Sequence, residues 1–93
     1  MGKYTIEITD EAKKHLSFHR KSGSKATIHR IEKIISELSE TPYKGIGKPE
    51  KLKHQYLGYW SRRINNKDRI IYKVREVTVS ILIVSAKGHY ADK

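Results

Sequence analysis

Near the start of the chain Tyr4, Ile6 and Ile8 alternate with Thr5, Glu7 and Thr9, the two-residue period of a strand with one buried face. Thr9-Asp10-Glu11 then supplies a hydroxyl able to cap a helix and two carboxylates where the helix dipole favours negative charge. The pattern predicts a helix running to about Lys21 and stopped by Ser22-Gly23-Ser24. In a second helix, Ile28, Ile31, Ile34, Ile35 and Leu38 form one stripe with charged residues opposite. That helix ends before Pro42, because the residue preceding a proline is pushed out of helical geometry. The two helices are expected to form an antiparallel hairpin.

Tyr43 to Glu50 is expected to be a loop, with Gly45, Gly47 and Pro49 as its breakers. Beyond it the chain becomes rich in aromatic and β-branched residues. Strands are predicted at 55–64, 69–75 and 77–87, separated by Asn65-Asn66-Lys67-Asp68 and by a tight turn at Arg75-Glu76. Val77 to Ser85 is apolar nearly throughout, as suits a central strand. The expected fold is α+β with the order β-α-α-β-β-β: an antiparallel sheet carrying the two-helix hairpin on one face. The other face stays open. Its polar and basic residues, with the loop at 43–54, can line a concave seat for an RNA strand.

A chain of 93 residues makes a single domain, 1–93, of modest stability. The formal net charge of +10 changes the picture more. Such a field attracts nucleic acid, an acidic membrane or an acidic protein, and exceeds what solubility alone requires. With no cysteine, disulfides and thiolate metal sites are excluded. No apolar run approaches a membrane span, and Met1-Gly2-Lys3-Tyr4 is not a signal peptide, so a cytoplasmic protein without membrane contact is expected.

Cleaving RNA requires a base for the 2′-hydroxyl, an acid for the departing 5′-oxygen and positive charge on the phosphate between them. The 2′-hydroxyl is itself the nucleophile, so neither a metal nor another cofactor is expected. Glu50, surrounded by cations in Gly47-Lys48-Pro49-Glu50-Lys51-Leu52-Lys53-His54, is the candidate base; the alternative is a surface salt bridge with Lys48 or Lys53. His89 is the candidate acid, since imidazole holds or releases a proton near neutrality; the alternative is an unstructured histidine near a chain end. Arg69 can grip two phosphate oxygens, or it can simply guard a strand edge, and the alternation around it leaves its face open. Of Arg62 and Arg63, adjacent on one strand, only one can readily face the site. Tyr56, Tyr59, Tyr72 and Tyr90 can stack on bases or cover the sheet. His15 and His19 have a helical spacing that can hold a metal, but no third ligand accompanies them.

Several of these blocks together resemble the YoeB/Txe toxins of the RelE/ParE superfamily. They are Gly47-Lys48-Pro49-Glu50, Leu52-Lys53-His54, Gly58-Tyr59-Trp60-Ser61-Arg62-Arg63-Ile64, Arg69-Ile70-Ile71-Tyr72 and His89-Tyr90. The resemblance runs from about Tyr4 to Tyr90. It implies the toxin of a type II toxin–antitoxin module, a ribosome-dependent endoribonuclease that cuts mRNA in the ribosomal A site and inhibits translation and growth. It also implies roles: Glu50 as general base, Arg69 as phosphate-stabilising cation, His89 as general acid, Tyr90 closing the site, and Lys53, His54 and an arginine of the pair Arg62 and Arg63 contacting RNA. The implied partners are mRNA, the ribosome with its rRNA, and a YefM/Phd-type antitoxin. Operator DNA follows through the antitoxin complex, and a homodimer is a further possibility. The chain departs from the pattern in continuing past Tyr90 with Ala91-Asp92-Lys93, and in placing Asp68 where relatives often have histidine; Asp68 can pair with Arg69 or a lysine. The rival readings are a non-catalytic nucleic-acid-binding module and a ParE-like inhibitor of gyrase.

Overall fold

The computed structural model describes residues 3–88. Strand β1 (Thr5–Ile8) leads into helix α1 (Asp10–Ser22), and Gly23-Ser24 links it to helix α2 (Lys25–Leu38). Both helices start as their sequences dictate. Thr9 Oγ1 accepts the amide of Ala12 and Ser24 Oγ that of Thr27, each at 3.1 Å, satisfying donors that a helix start leaves free. A short strand β2 (Glu50–Lys51), a 3₁₀ turn (His54–Tyr56), and strands β3 (Tyr59–Arg63), β4 (Arg69–Arg75) and β5 (Ser80–Ser85) follow.

The strands form one five-stranded sheet in the order β1-β5-β4-β3-β2. The α+β architecture is as expected, but the sheet is mixed rather than antiparallel, because β1 pairs with β5 in parallel, Ile6 opposite Ile81. Chain direction explains it. The amides of Lys3 and Tyr4 both donate to Ser39 O, so the helical pair returns the chain to the side where β1 began. The chain then crosses to the far edge, and the antiparallel steps β2-β3-β4-β5 bring β5 back beside β1 in the same sense. Two segments expected as strand are not. Residues 54–56 form the 3₁₀ turn, so the third strand starts at Tyr59 rather than 55; the last two strands are joined by a turn over 76–79 rather than a tight reversal at Arg75-Glu76. Conversely, β2 lies within what read as loop.

The core sits between sheet and helices. Ile34 and Leu38 of α2 and Ala12 of α1 pack with Ile70 and Tyr72 of β4 and Ile81 and Ile83 of β5. No helix among the described residues is long and apolar enough to cross a membrane.

A guanidinium is buried inside this packing. Arg62 is fully inaccessible, with Nη1 donating to Glu37 Oε1 at 2.8 Å, and Nη2 to Thr41 O at 2.7 Å and Lys44 O at 2.8 Å. Its Nε reaches Tyr72 Oη at 3.4 Å, and that phenol donates to Pro42 O at 2.6 Å. Glu37 Oε1 also accepts the Ile46 amide at 3.0 Å. The loop over 41–46 therefore wraps a guanidinium instead of a hydrophobic plug. Gly45 is obligatory there: with φ of +138°, a β-carbon would lie 2.0 Å from Glu37 Oε1 and 2.7 Å from Arg62 Nη1. Where an RNA contact was expected from one arginine of the pair Arg62 and Arg63, Arg62 is corrected to a structural place. Its side chain faces the helices, where its hydrogen-bonding capacity is spent on the fold.

A second fastener lies at the surface. The Glu76 carboxylate, in the β4–β5 turn, accepts the phenol of Tyr4 at 3.0 Å and also that of Tyr43. The bond from Tyr43, then that from Tyr4, holds the Glu76 carboxyl below its ordinary range, and the same carboxylate pushes the Tyr43 phenol up to about 12.

Two expected outcomes follow from these contacts. Replacing Arg62 with leucine should remove roughly 3 kcal/mol of unfolding free energy, since it orphans buried carbonyls and a partly buried carboxylate; denaturant unfolding reads this, and a loss below about 1 kcal/mol would make the clamp dispensable. For Glu76 the sign depends on the pH limb. Its depressed pKa gives stability present above the ordinary 4.5 and lost as pH falls through the folded value, while the raised Tyr43 pKa gives stability present below 10.0 and lost as pH rises toward about 12. The Tm difference between the wild-type chain and Glu76→Gln should be flat near neutrality and shrink on both limbs.

Candidate active site

Strand alternation divides β3 and β4 between two environments. Trp60, Arg62, Ile70 and Tyr72 face the helices, and Ser61, Arg63, Arg69 and Lys73 share the open face. Pairing extends that face to the edge: Glu50 of β2 lies opposite Ser61, and Arg63 opposite Arg69. The open alternation at Arg69 is thus resolved in favour of the uncovered side.

On that face Arg69 Nη1 lies 3.4 Å from Glu50 Oε1 and 3.4 Å from Ser61 Oγ. Two residues far apart in the sequence, each opening a strand, thereby meet around a buried serine hydroxyl. The Glu50 side chain is 64% exposed and that of Arg69 22%, so the carboxylate stands in solvent while the guanidinium is braced by the sheet. An ion pair this long and this open contributes about 0–1 kcal/mol to stability. It is available for exchange with a charged ligand.

The loop that delivers Glu50 is pressed tightly against β3. Arg63 N donates to Gly47 O at 2.7 Å, and a β-carbon on Gly47 would come within 2.9 Å of Arg63 O. Gly47 (φ +84°) and Lys48 (φ 50°) both adopt left-handed backbone before Pro49 stiffens the approach to β2. Lys53, at the entrance of the 3₁₀ turn, and His54, which opens it with φ 57°, are exposed on the same edge. Arg63 is exposed on the open face, and Lys73 lies 5.6 Å from the centre of the Tyr59 ring, so cations flank the Glu50–Arg69 pair.

At the other flank Asp68 has a role the sequence did not disclose. Among the described residues its carboxylate pairs with neither Arg69 nor a lysine; Oδ1 accepts the Gly88 amide at 2.8 Å, and the Arg69 amide donates to Gly88 O at 3.2 Å. The end of the described chain is therefore tied to the first residue of β4. The expected acid His89 and the expected lid Tyr90 lie outside the described residues. Among the described residues no group of three or more His, Asp and Glu side chains could hold a metal ion.

Ser61 stands in the sequence as part of the Trp60 block, between Trp60 and two arginines, with no role of its own. Its only signal was parity: alternation puts it on the face opposite Arg62.

Comparison with known proteins bears on what this arrangement is for. The family model of the YoeB-like toxin of bacterial type II toxin–antitoxin systems matches residues 8–90. The Toxin YoeB of Streptomyces coelicolor is 39% identical over 77% of this chain and 83% of its own. Among solved structures, the YoeB dimer from Staphylococcus aureus superposes with a TM-score of 0.81 at 32% identity, covering 95% of this chain and 99% of that one. The YoeB–YefM complex from the same organism gives 0.79 at 33% identity, covering 94% and 98%. The chain belongs to the YoeB-like toxins of bacterial type II toxin–antitoxin systems.

Proposed function

We propose that this toxin is a ribosome-dependent endoribonuclease that cuts mRNA in the A site by acid–base chemistry on the RNA itself. The observation that carries the reading is the meeting of Glu50 and Arg69 on the open, cation-flanked face, next to the point where Gly88 hands the chain to His89. Glu50 takes the proton of the 2′-hydroxyl, and the freed 2′-oxygen attacks the adjacent phosphorus. Arg69 leaves its loose contact with Glu50 to hold the nonbridging oxygens as charge builds on them. His89 protonates the departing 5′-oxygen, leaving a 2′,3′-cyclic phosphate on one fragment and a 5′-hydroxyl on the other. Lys53, His54, Arg63 and Tyr90 supply contacts to the RNA on either side, and the net charge of +10 draws the chain toward rRNA.

The same field suits an acidic antitoxin segment. A YefM-type partner, as in the Staphylococcus aureus complex, is the proposed antidote, with operator DNA reached through that complex, and self-association as in the YoeB dimer is consistent with the fold. The cytoplasm, where ribosomes and mRNA are, is the proposed compartment.

Mapping cleavage ends on mRNA, with and without ribosomes, tests the proposal. Glu50→Gln keeps the size of the side chain but not its basicity and should slow cleavage by about 10²–10⁴-fold while leaving antitoxin binding intact. Full cleavage by this variant would remove Glu50 as base, and growth arrest without any cut RNA would favour a gyrase target. Arg69→Lys should retain more activity than Arg69→Ala yet stay well below wild type, because lysine keeps the charge and loses the two-pronged grip; equal losses in single-turnover rate would exclude a phosphate contact.

A further inference from the structure

The spacing of His15 and His19 on α1 is used for something other than a metal. One helical turn apart, both rings point at the residue that follows β5. His15 Nδ1 accepts the Ala86 amide at 3.0 Å, and His19 Nε2 donates to Ala86 O at 2.7 Å. The partners settle the protons: Nδ1 of His15 carries the lone pair, which places its Nε2 proton toward Glu11 Oε2 at 3.1 Å. His19 is 3% exposed and Ala86 fully buried. Phe18, between the two histidines, lies with its ring 4.0 Å beneath Lys87 Nζ. One helix face thus holds both backbone polar groups of Ala86 and the side chain of Lys87, while Asp68 and the Arg69 amide hold Gly88 from the opposite side.

We propose that His15 and His19 are positioning residues for RNA cleavage, fixing through Ala86 the point from which the chain departs toward His89. This rests on the reading of His89 as proton donor. A buried strand end needs its N–H and C=O satisfied in any protein, but here the satisfied residue stands three positions before the proposed acid, in a run gripped from both sides. Displacement of a reacting group by about 1 Å can cost on the order of 100-fold in rate. A staple on Ala86 therefore acts on the turnover step and much less on RNA affinity.

The test is single-turnover cleavage by the full chain on programmed ribosomes, with each substitution made in the wild-type and the His89→Ala background. His19→Leu and His15→Leu should slow cleavage about 10–100-fold with little change in KM. His19→Gln keeps a donor near the Nε2 position and His15→Asn an acceptor near Nδ1, so both should restore most of the rate. In the His89→Ala background none of the four should cost anything further. Equal losses in both backgrounds, leucine variants at wild-type rate, or rescue variants as slow as the leucine ones would overturn the proposal. If the leucine variants do not fold, His19→Asn and His15→Gln, which displace the donor and the acceptor by one methylene, decide: a loss of about 10–100-fold beside near-wild-type His19→Gln and His15→Asn upholds the staple, and equal rates for all four in folded chains overturn it. Full-rate cleavage by His89→Ala alone would instead bring down the reading of the acid, and the staple's role with it.

Discussion

The edge of the open face that bears Glu50 depends on a guanidinium buried on the opposite side of the sheet. Arg62 makes contacts to Glu37, Thr41, Lys44, Ile46 and Tyr72 that no apolar side chain of its size can replace, since a hydrocarbon would leave the loop carbonyls without donors. With 41–46 fixed to the end of α2, the chain enters the Gly47-Lys48-Pro49 bend from a defined place and reaches β2 in register with β3. Glu50 then lies opposite Ser61, within reach of Arg69. Loops are ordinarily the mobile parts of a domain. This one leads straight into the strand that carries the proposed base and is held from beneath by an ion pair.

Much of the architecture was legible in the chain. A cap marked the start of the first helix, an apolar stripe marked the second, and breakers marked the loop, because those features act over a few residues. The parallel pairing of β1 with β5 was not, since it depends on where the chain stands after the helical pair and the sheet crossing, which no local pattern records. The 3₁₀ turn at 54–56 escaped for a related reason. His54-Gln55-Tyr56 has strand-compatible residues, but the left-handed backbone at His54 breaks the extended run.

The site was legible unevenly. Glu50 and Arg69 could be singled out as a candidate base and a candidate phosphate grip from chemistry and resemblance, but their meeting is a consequence of register. Arg62 and Arg63 look equivalent in sequence, and parity separates them: one is sealed under the sheet, the other stands on the open face. Asp68 was given the wrong partner, and the two helical histidines were left without a role, because their partners are backbone groups of Gly88 and Ala86, distant in sequence. A side chain whose partner is main chain leaves no matching residue type to search for.

Burial assigns opposite duties to two pairs of the same chemistry. Arg62 and Glu37 meet at 2.8 Å with the guanidinium wholly excluded from water, whereas Arg69 and Glu50 meet at 3.4 Å with the carboxylate largely solvated. Breaking the first pair strands a charge where little can resolvate it, so it is structural and permanent. Breaking the second costs almost nothing, because water takes up whatever the partner releases. In the proposed reaction a phosphate that takes the place of Glu50 on Arg69 would meet no large opposing term, and the displaced carboxylate would be free to act as the proposed base. Had the outer pair been as tight as the inner one, the binding of substrate would have been spent on opening the site rather than on the reaction.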